Sequence, residues 1–283
     1  MQQSKHTGMS SLPPESVLLV APKQARYENA QATAASIAAG LQAAGLQVDM
    51  VDCGRAYDLA LAIGGDGTMM QTVTALVQRT IPTLGVNAGD VGFLTSAEAD
   101  DWQDVVSRVV AGQYAREDRL GLQAQMGTQT IGPIANEVVV RHQSSVVTLQ
   151  VEIAGQVFYH QLQGDGVLVA TATGSTGYNT SANGPILLPG SGDVVLTALN
   201  PMSLSTRPIV SHDLAAGRDI TITVLASKRD EPAMVIADGV VQQQTLAIGD
   251  SITVEQYPLP LRFATFGLAQ YAKALSEKKG FAR

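Results

Sequence analysis

Gly64-Gly65-Asp66-Gly67-Thr68 sets one carboxylate among three glycines, where the apolar run Leu59–Ile63 gives way to the helix-forming run Met69–Gln78. Glycines at a strand-to-helix turn let the backbone approach a ligand without Cβ clashes. The amides that open the following helix carry partial positive charge and form a natural phosphate site. Asp66 at such a turn is repelled by phosphate unless it binds a metal, takes a proton or accepts a hydrogen bond. Beside phosphate-binding amides, it points to phosphoryl transfer to a hydroxyl, with Asp66 as the base. The plain alternative is a tight turn whose aspartate caps the helix. The turn has no Gly-Lys-Ser/Thr, so it is not a Walker loop, and no Gly-x-Gly-x-x-Gly follows the first strand.

A second segment is as rich in glycine and richer in hydroxyls. Gly164-Asp165-Gly166 precedes the strand Val167–Ala170. Then come Thr171-Ala172-Thr173-Gly174-Ser175-Thr176-Gly177-Tyr178-Asn179 and Ser181-Ala182-Asn183-Gly184-Pro185-Ile186. Short donors and acceptors on a permissive backbone suit ribose and base edges, and Tyr178 offers a ring face or hydroxyl to a purine. Composition alone reads equally well as an ordinary loop. Thr173 stands where a Gly-x-Ser-x-Gly hydrolase elbow demands glycine.

The elements that must position these segments follow from the apolar pattern. Val17–Ala21, Leu46–Val51, Leu59–Ile63 and Ile81–Val86 read as strands. Helices are expected over Ala25–Ala44, Met69–Gln78 and about Asp100–Ala111. Alternating strands and helices imply a Rossmann-like α/β domain with a parallel sheet, its strands apolar throughout because both faces are covered. Beyond it the runs Ile134–Arg141, Val146–Ile153, Gln156–Gln161, Gly166–Ala170, Asp193–Leu199, Asp219–Leu225 and Ser251–Gln256 are short and β-branched. They predict a β-rich, sandwich-like C-terminal domain. The expected divisions are a flexible tail over residues 1–14, an α/β domain over 15–110 and a β-rich domain over 111–260. A final segment, 261–283, is helical over Gly267–Lys279 and returns to the first domain.

Composition narrows the function further. The chain has 283 residues, 45% hydrophobic and 15% charged, with a formal charge of −7. A globular fold follows, and the negative charge argues against a nucleic-acid partner. No apolar run reaches the roughly 20 residues that span a bilayer, and the polar start does not read as a signal peptide. Cys53 is the only cysteine, which rules out a disulfide framework and a cysteine-based zinc site. The cytoplasm is the expected compartment. His6, His142, His160 and His212 show no metal-ligand spacing. Asp238-Gly239 is a candidate hairpin turn, and the roles of Asp238 and Arg207 stay open.

Taken together, Gly64–Thr68, Gly85-Val86-Asn87-Ala88-Gly89-Asp90-Val91-Gly92-Phe93-Leu94-Thr95, Asn136-Glu137, Asp165-Gly166 with Thr171–Tyr178, and Pro201–Val210 resemble the NAD kinase family. The resemblance runs from about Val17 to Phe266. It implies the NAD kinase/diacylglycerol kinase-like architecture, an α/β domain plus a β-rich domain with the site between them. It also implies transfer of a phosphoryl group from ATP to the adenosine 2′-hydroxyl of NAD, with Mg²⁺ or Mn²⁺, by a homodimer or homotetramer.

Asp66 would draw the hydroxyl proton, and Gly64, Gly65, Gly67 and Thr68 would face the phosphates. Asn136 and Glu137 would hold ribose hydroxyls. Thr173, Ser175, Thr176, Gly177 and Tyr178 would line the NAD site with Asn87, placing Phe93 beside the adenine and Asp165 near the nicotinamide. Threonine at 68, where other members carry asparagine, is associated with polyphosphate as donor. Ala172, Gly177, Met202, Ala88 and Asp90 depart from the usual pattern; none removes the base. Two rivals stand beside this reading: a lipid kinase of the diacylglycerol or sphingosine type, which shares the glycine-rich turn, and a non-catalytic NAD-binding sensor.

Overall fold

A computed structural model describes residues 12–22, 28–89, 91–212, 214 and 217–278. Asp90 and most of the expected tail, residues 1–11, lie outside the described residues. The chain forms two compact units, residues 1–118 with 261–283, and residues 119–260.

The first unit is built on a seven-stranded sheet. Its order is Gln47–Asp49, Ser16–Val20, Leu59–Gly64, Thr83–Asn87, Leu261–Thr265 and Ala115–Arg119, with the short strand Ala97–Glu98 beside Thr83–Asn87. Pairings across the first five of these, and to Ala97–Glu98, are parallel. Period-2 alternation divides the strand residues between two cores. Val17, Leu19, Leu59, Leu61, Ile63, Leu84 and Val86 pack with the helices Glu28–Ala43 and Trp102–Val110, while Leu18 and Ala60 pack with Tyr57, Leu76 and Ile81. The helix Glu28–Ala43 buries Ala30, Ala34, Ile37, Ala38 and Leu41, a stripe at helical spacing. It stops because Gly45, at φ 89°, lets the Gly45 and Leu46 amides reach back to the Gln42 and Leu41 carbonyls at 2.9 and 3.1 Å.

The second unit is a sandwich of two six-stranded sheets. One runs Gln156–Gly164, Val147–Ile153, Ile220–Ser227, Ser251–Gln256, Leu122–Met126 and Gln129–Ile134; the other runs Ile209–His212, Asp193–Leu199, Gly166–Thr171, Glu137–Arg141, Ala233–Ala237 and Val240–Leu246. Val147, Leu149, Val151 and Ile153 from the first meet Val138, Val140, Val167, Val169, Val194 and Leu196 from the second in one core. The other face of the second sheet carries Val139, Leu168, Ala170 and Val195, covered by Ala172 and Leu187 from the segment after residue 171. The central strands Gly166–Thr171 and Glu137–Arg141 are therefore covered on both faces, which explains their continuous apolar runs.

Several strands were hidden in the sequence. Ala115–Arg119 reads AREDR, almost wholly charged, because it lies at the sheet edge next to Leu261–Thr265 with its side chains alternating in exposure. Ala233–Ala237 and Val240–Leu246 form a hairpin whose outer strand, VVQQQTL, is largely exposed. The second helix begins at Asp66 rather than Met69, so Gly67 and Thr68 are helical.

Candidate functional site

The strand Leu59–Gly64 ends at Gly64, Gly65 caps the helix Asp66–Ala75 from an extended conformation, and the Thr68 and Met69 amides bond to the Gly65 carbonyl. Glycine at 64 is required by crowding: a Cβ there would lie 2.4 Å from Thr68 Oγ1. At Gly65 and Gly67 a Cβ would meet nothing within 4 Å, so the fold itself places no demand for glycine at either.

Asp66 does not cap its own helix, whose N-cap has no side-chain hydrogen bond. Its Oδ2 accepts from the Phe93 amide at 3.0 Å and its Oδ1 from the Leu94 amide at 2.8 Å. The two motifs of the α/β unit are thus tied together by one carboxylate. Asn87 is buried at the end of the adjacent strand. Its Nδ2 donates to Glu98 Oε2 at 2.7 Å and its Oδ1 accepts from the Gly89 amide. Gly92, at φ 65°, lets the loop pass over Asn87; a Cβ would sit 2.5 Å from the Asn87 side chain.

In the β-rich unit, a second cluster forms where Glu137 opens its strand. Asn136 is half-buried and Glu137 is 7% exposed. Burial pushes the Glu137 carboxyl from the usual carboxylate range up to about 7, and the nearby Asp238 carboxylate adds to that rise. Glu137 Oε2 is buried without a hydrogen-bond partner, as is Thr173 Oγ1. Gly177 lies beside Glu137, with 3.9 Å between its Cβ position and Glu137 Oε2.

Most hydroxyls in the Thr171–Tyr178 run are already used. Thr171 Oγ1 donates to the Ala135 carbonyl and accepts from the Gly174 amide. Ser175 is fully buried; its hydroxyl donates to the Ala172 carbonyl at 2.7 Å and accepts from the Leu187 amide at 3.0 Å. Thr176 Oγ1 makes a long contact to the Thr173 carbonyl at 3.5 Å. Asn179, also fully buried, donates to the Ser175 and Pro185 carbonyls and accepts from Thr197. Tyr178 is exposed, its hydroxyl 3.4 Å from Arg141 Nη1. Asp165 accepts from Asn200 Nδ2 at 2.7 Å.

Comparison with known proteins finds both domains of one family. The ATP-NAD kinase N-terminal domain matches residues 26–114 and the ATP-NAD kinase C-terminal domain matches residues 135–264. An NAD kinase of Bordetella parapertussis is 36% identical over 221 residues, covering 76% of this chain and 73% of the relative. One of Methanopyrus kandleri is 34% identical over 233 residues, covering 82% and 81%.

The chain belongs to the NAD kinase family.

The NAD kinase fold is found again in solved structures. Yeast NADH kinase complexed with NADH superposes with a TM-score of 0.79 at 22% identity, covering 95% of this chain and 88% of that one. An NAD kinase from Archaeoglobus fulgidus in complex with ATP gives 0.71 at 24%, covering 93% and 98%.

Measured against the residues singled out from sequence, Gly64, Gly65, Asp66, Gly67, Thr68, Asn87 and Phe93 gather in the first unit. Asn136, Glu137, Thr173, Thr176 and Gly177 gather in the second. Tyr178 lies at the exposed rim and Ser175 is internal. Arg207 turns onto its own loop, donating to the Leu204 and Thr206 carbonyls. Sequence reasoning missed the partners of Asp238, whose carboxylate accepts from the Ala135, Asn136 and Glu137 amides about a hundred positions earlier. The Asp-Gly dipeptide announced the turn, and nothing local announced what the side chain would hold.

Proposed function

We propose that this chain is a phosphotransferase that moves the terminal phosphoryl group of ATP to the adenosine 2′-hydroxyl of NAD, giving NADP. The observation that carries the reading is Asp66. Its carboxylate stands at the head of a helix, oriented by two backbone amides, next to glycines whose Cβ positions face open space. A ribose hydroxyl is a poor nucleophile at neutral pH, and a positioned carboxylate accepting its proton contributes typically about 10²–10⁴-fold. Alignment and amide stabilisation of the transferring group supply the remainder. Asn136, Glu137 and Thr173 would receive ribose hydroxyls, since Glu137 Oε2 and Thr173 Oγ1 are the buried polar atoms of that cluster lacking partners. Neither the lipid-kinase nor the silent-sensor alternative draws support from the family assignment.

Among the described residues no three His, Cys, Asp or Glu side chains gather as a metal cage. That suits Mg²⁺ or Mn²⁺ carried on the donor's phosphates, the usual mode for Mg²⁺; when bound it would neutralise charge on the transferring group. Asp66, the one carboxylate of the 64–68 turn, is the residue that would face it. No helix among the described residues is long and apolar enough to cross a membrane. We propose a cytoplasmic homodimer or homotetramer; light scattering of the purified chain would test the oligomeric state.

Asp66→Asn keeps one acceptor oxygen for the loop amides and removes the base. It is expected to lower NADP formation about 10²–10⁴-fold with little change in KM for NAD. Wild-type turnover in that variant would exclude Asp66 as base. Running the assay with ATP and then with polyphosphate identifies the donor.

A further inference from the structure

We infer that Asp238 is the positioning residue of the Asn136–Glu137 corner, holding the backbone so that the Glu137 carboxylate stays turned toward a ribose diol. The inference rests on the proposed reading of that corner as the place that receives ribose hydroxyls. Residues 135 and 136 precede the strand Glu137–Arg141, and their amides need an acceptor, because a buried unpaired amide is costly. Asp238 Oδ2 accepts from Ala135 at 2.8 Å, and Oδ1 accepts from Asn136 at 2.6 Å and from Glu137 at 3.3 Å. The Asp238 amide in turn donates to the Glu137 carbonyl at 3.1 Å. From the opposite side the Asn136 carbonyl accepts from the Thr171 amide at 2.8 Å, and Gly174 packs so closely that a Cβ would lie 2.3 Å from that oxygen. The corner is clamped on two sides, and on one of them a single side chain holds all three amides.

The turn does not account for an aspartate at 238. Asp238 and Gly239 have φ of 48° and 76° and join paired Ala237 and Val240, a two-residue hairpin that Asn-Gly or Gly-Gly would form equally well. What aspartate adds is a charge and two acceptor oxygens. The charge has a second consequence, since it helps hold the Glu137 carboxyl up near 7. Other elements around Glu137 bring little charge. Residues 171–177 offer hydroxyls and backbone alone. Arg141, on Glu137's own strand, is directed to Tyr178 and the His142 carbonyl.

The test compares the full chain with Asp238→Gly, which keeps the turn and removes the carboxylate, Asp238→Asn, which keeps one acceptor, and Glu137→Gln. Asp238→Gly is expected to raise KM for NAD about tenfold or more, with KM for ATP within about twofold; Asp238→Asn should recover part of the loss. In the wild type, kcat/KM for NAD should climb as pH passes about 7, the ionised Glu137 being the better diol acceptor. The climb should move to lower pH in Asp238→Asn and vanish in Glu137→Gln. A purely structural role for Asp238 would lower the melting temperature and leave that pH profile in place, which would overturn the inference. So would an unchanged KM for NAD in both Asp238 variants. If Asp238→Gly fails to fold, Asp238→Asn decides. Should Glu137→Gln alone bind NAD normally with an unaltered profile, the ribose reading falls and takes the inference with it. If Glu137→Gln weakens NAD binding and the Asp238 variants do not, only the positioning role fails.

Discussion

The two glycine-rich segments look alike as strings and differ in what their residues are for. In Gly64–Thr68, two of the three glycines have open space at the Cβ position, and the one carboxylate is held from outside the turn by the Phe93 and Leu94 amides. In Thr171–Asn179, glycine is demanded by the fold: Gly174 presses on the Asn136 backbone, and beyond the run Gly184 presses on Asn179. Most of the hydroxyls there bond inward. The first segment leaves the backbone at two of its glycines uncrowded. The second is chiefly a scaffold, with Thr173 Oγ1 left over beside the unpartnered Glu137 Oε2 of the neighbouring strand. Abundance of donors in a sequence therefore says little about how many remain free after folding.

The sharpest way to break this contrast is to put a methyl on each kind of glycine. Gly174→Ala forces a Cβ to 2.3 Å from a backbone oxygen, and should cost at least about 3 kcal/mol in denaturant unfolding because backbone cannot move aside cheaply. Equal stability in that variant would show the packing argument to be wrong.

The next largest effect concerns the leftover carboxylate. Glu137 takes up its proton more readily when folded, with its carboxyl raised to about 7, so the folded state binds more protons than the unfolded chain between the ordinary glutamate range and pH 7. Stability should fall as pH rises through that window and stay low above it. Glu137→Gln should remove the slope and stabilise the protein at pH 8 by up to about 3 kcal/mol, read from melts at pH 5 and pH 8. A variant less stable at pH 8 would mean that the carboxylate is compensated.

Gly65→Ala and Gly67→Ala sharpen the comparison from the other side. Stability should stay within about 1 kcal/mol, with alanine at 67 favoured in the helix, while NADP formation falls about tenfold or more if ligand backbone approach matters there. Full activity in both would remove the reason for glycine at these positions. The smallest effect is expected at Thr173→Val, which deletes a buried hydroxyl without a partner. It should leave stability within about 0.5 kcal/mol of the wild type or above it, and raise KM for NAD a few-fold.

Sequence determined a good deal of this protein by itself. The apolar run Leu59–Ile63 reads as a strand covered on both faces, as it is, and the turn at residues 64–68 follows from glycine's freedom at a strand–helix junction. The alternation in Val147–Ile153 fixed a half-covered strand. Tertiary structure decided what the side chains of those elements would touch. Asp66 meets amides 27 and 28 positions away, and Asp238 meets amides 101 to 103 positions earlier. It also decided that the charged stretch Ala115–Arg119 would lie at a sheet edge. Local pattern encodes period and turn chemistry, because those depend on neighbours in the chain. Which donors stay unpaired depends on partners that only the folded chain brings near.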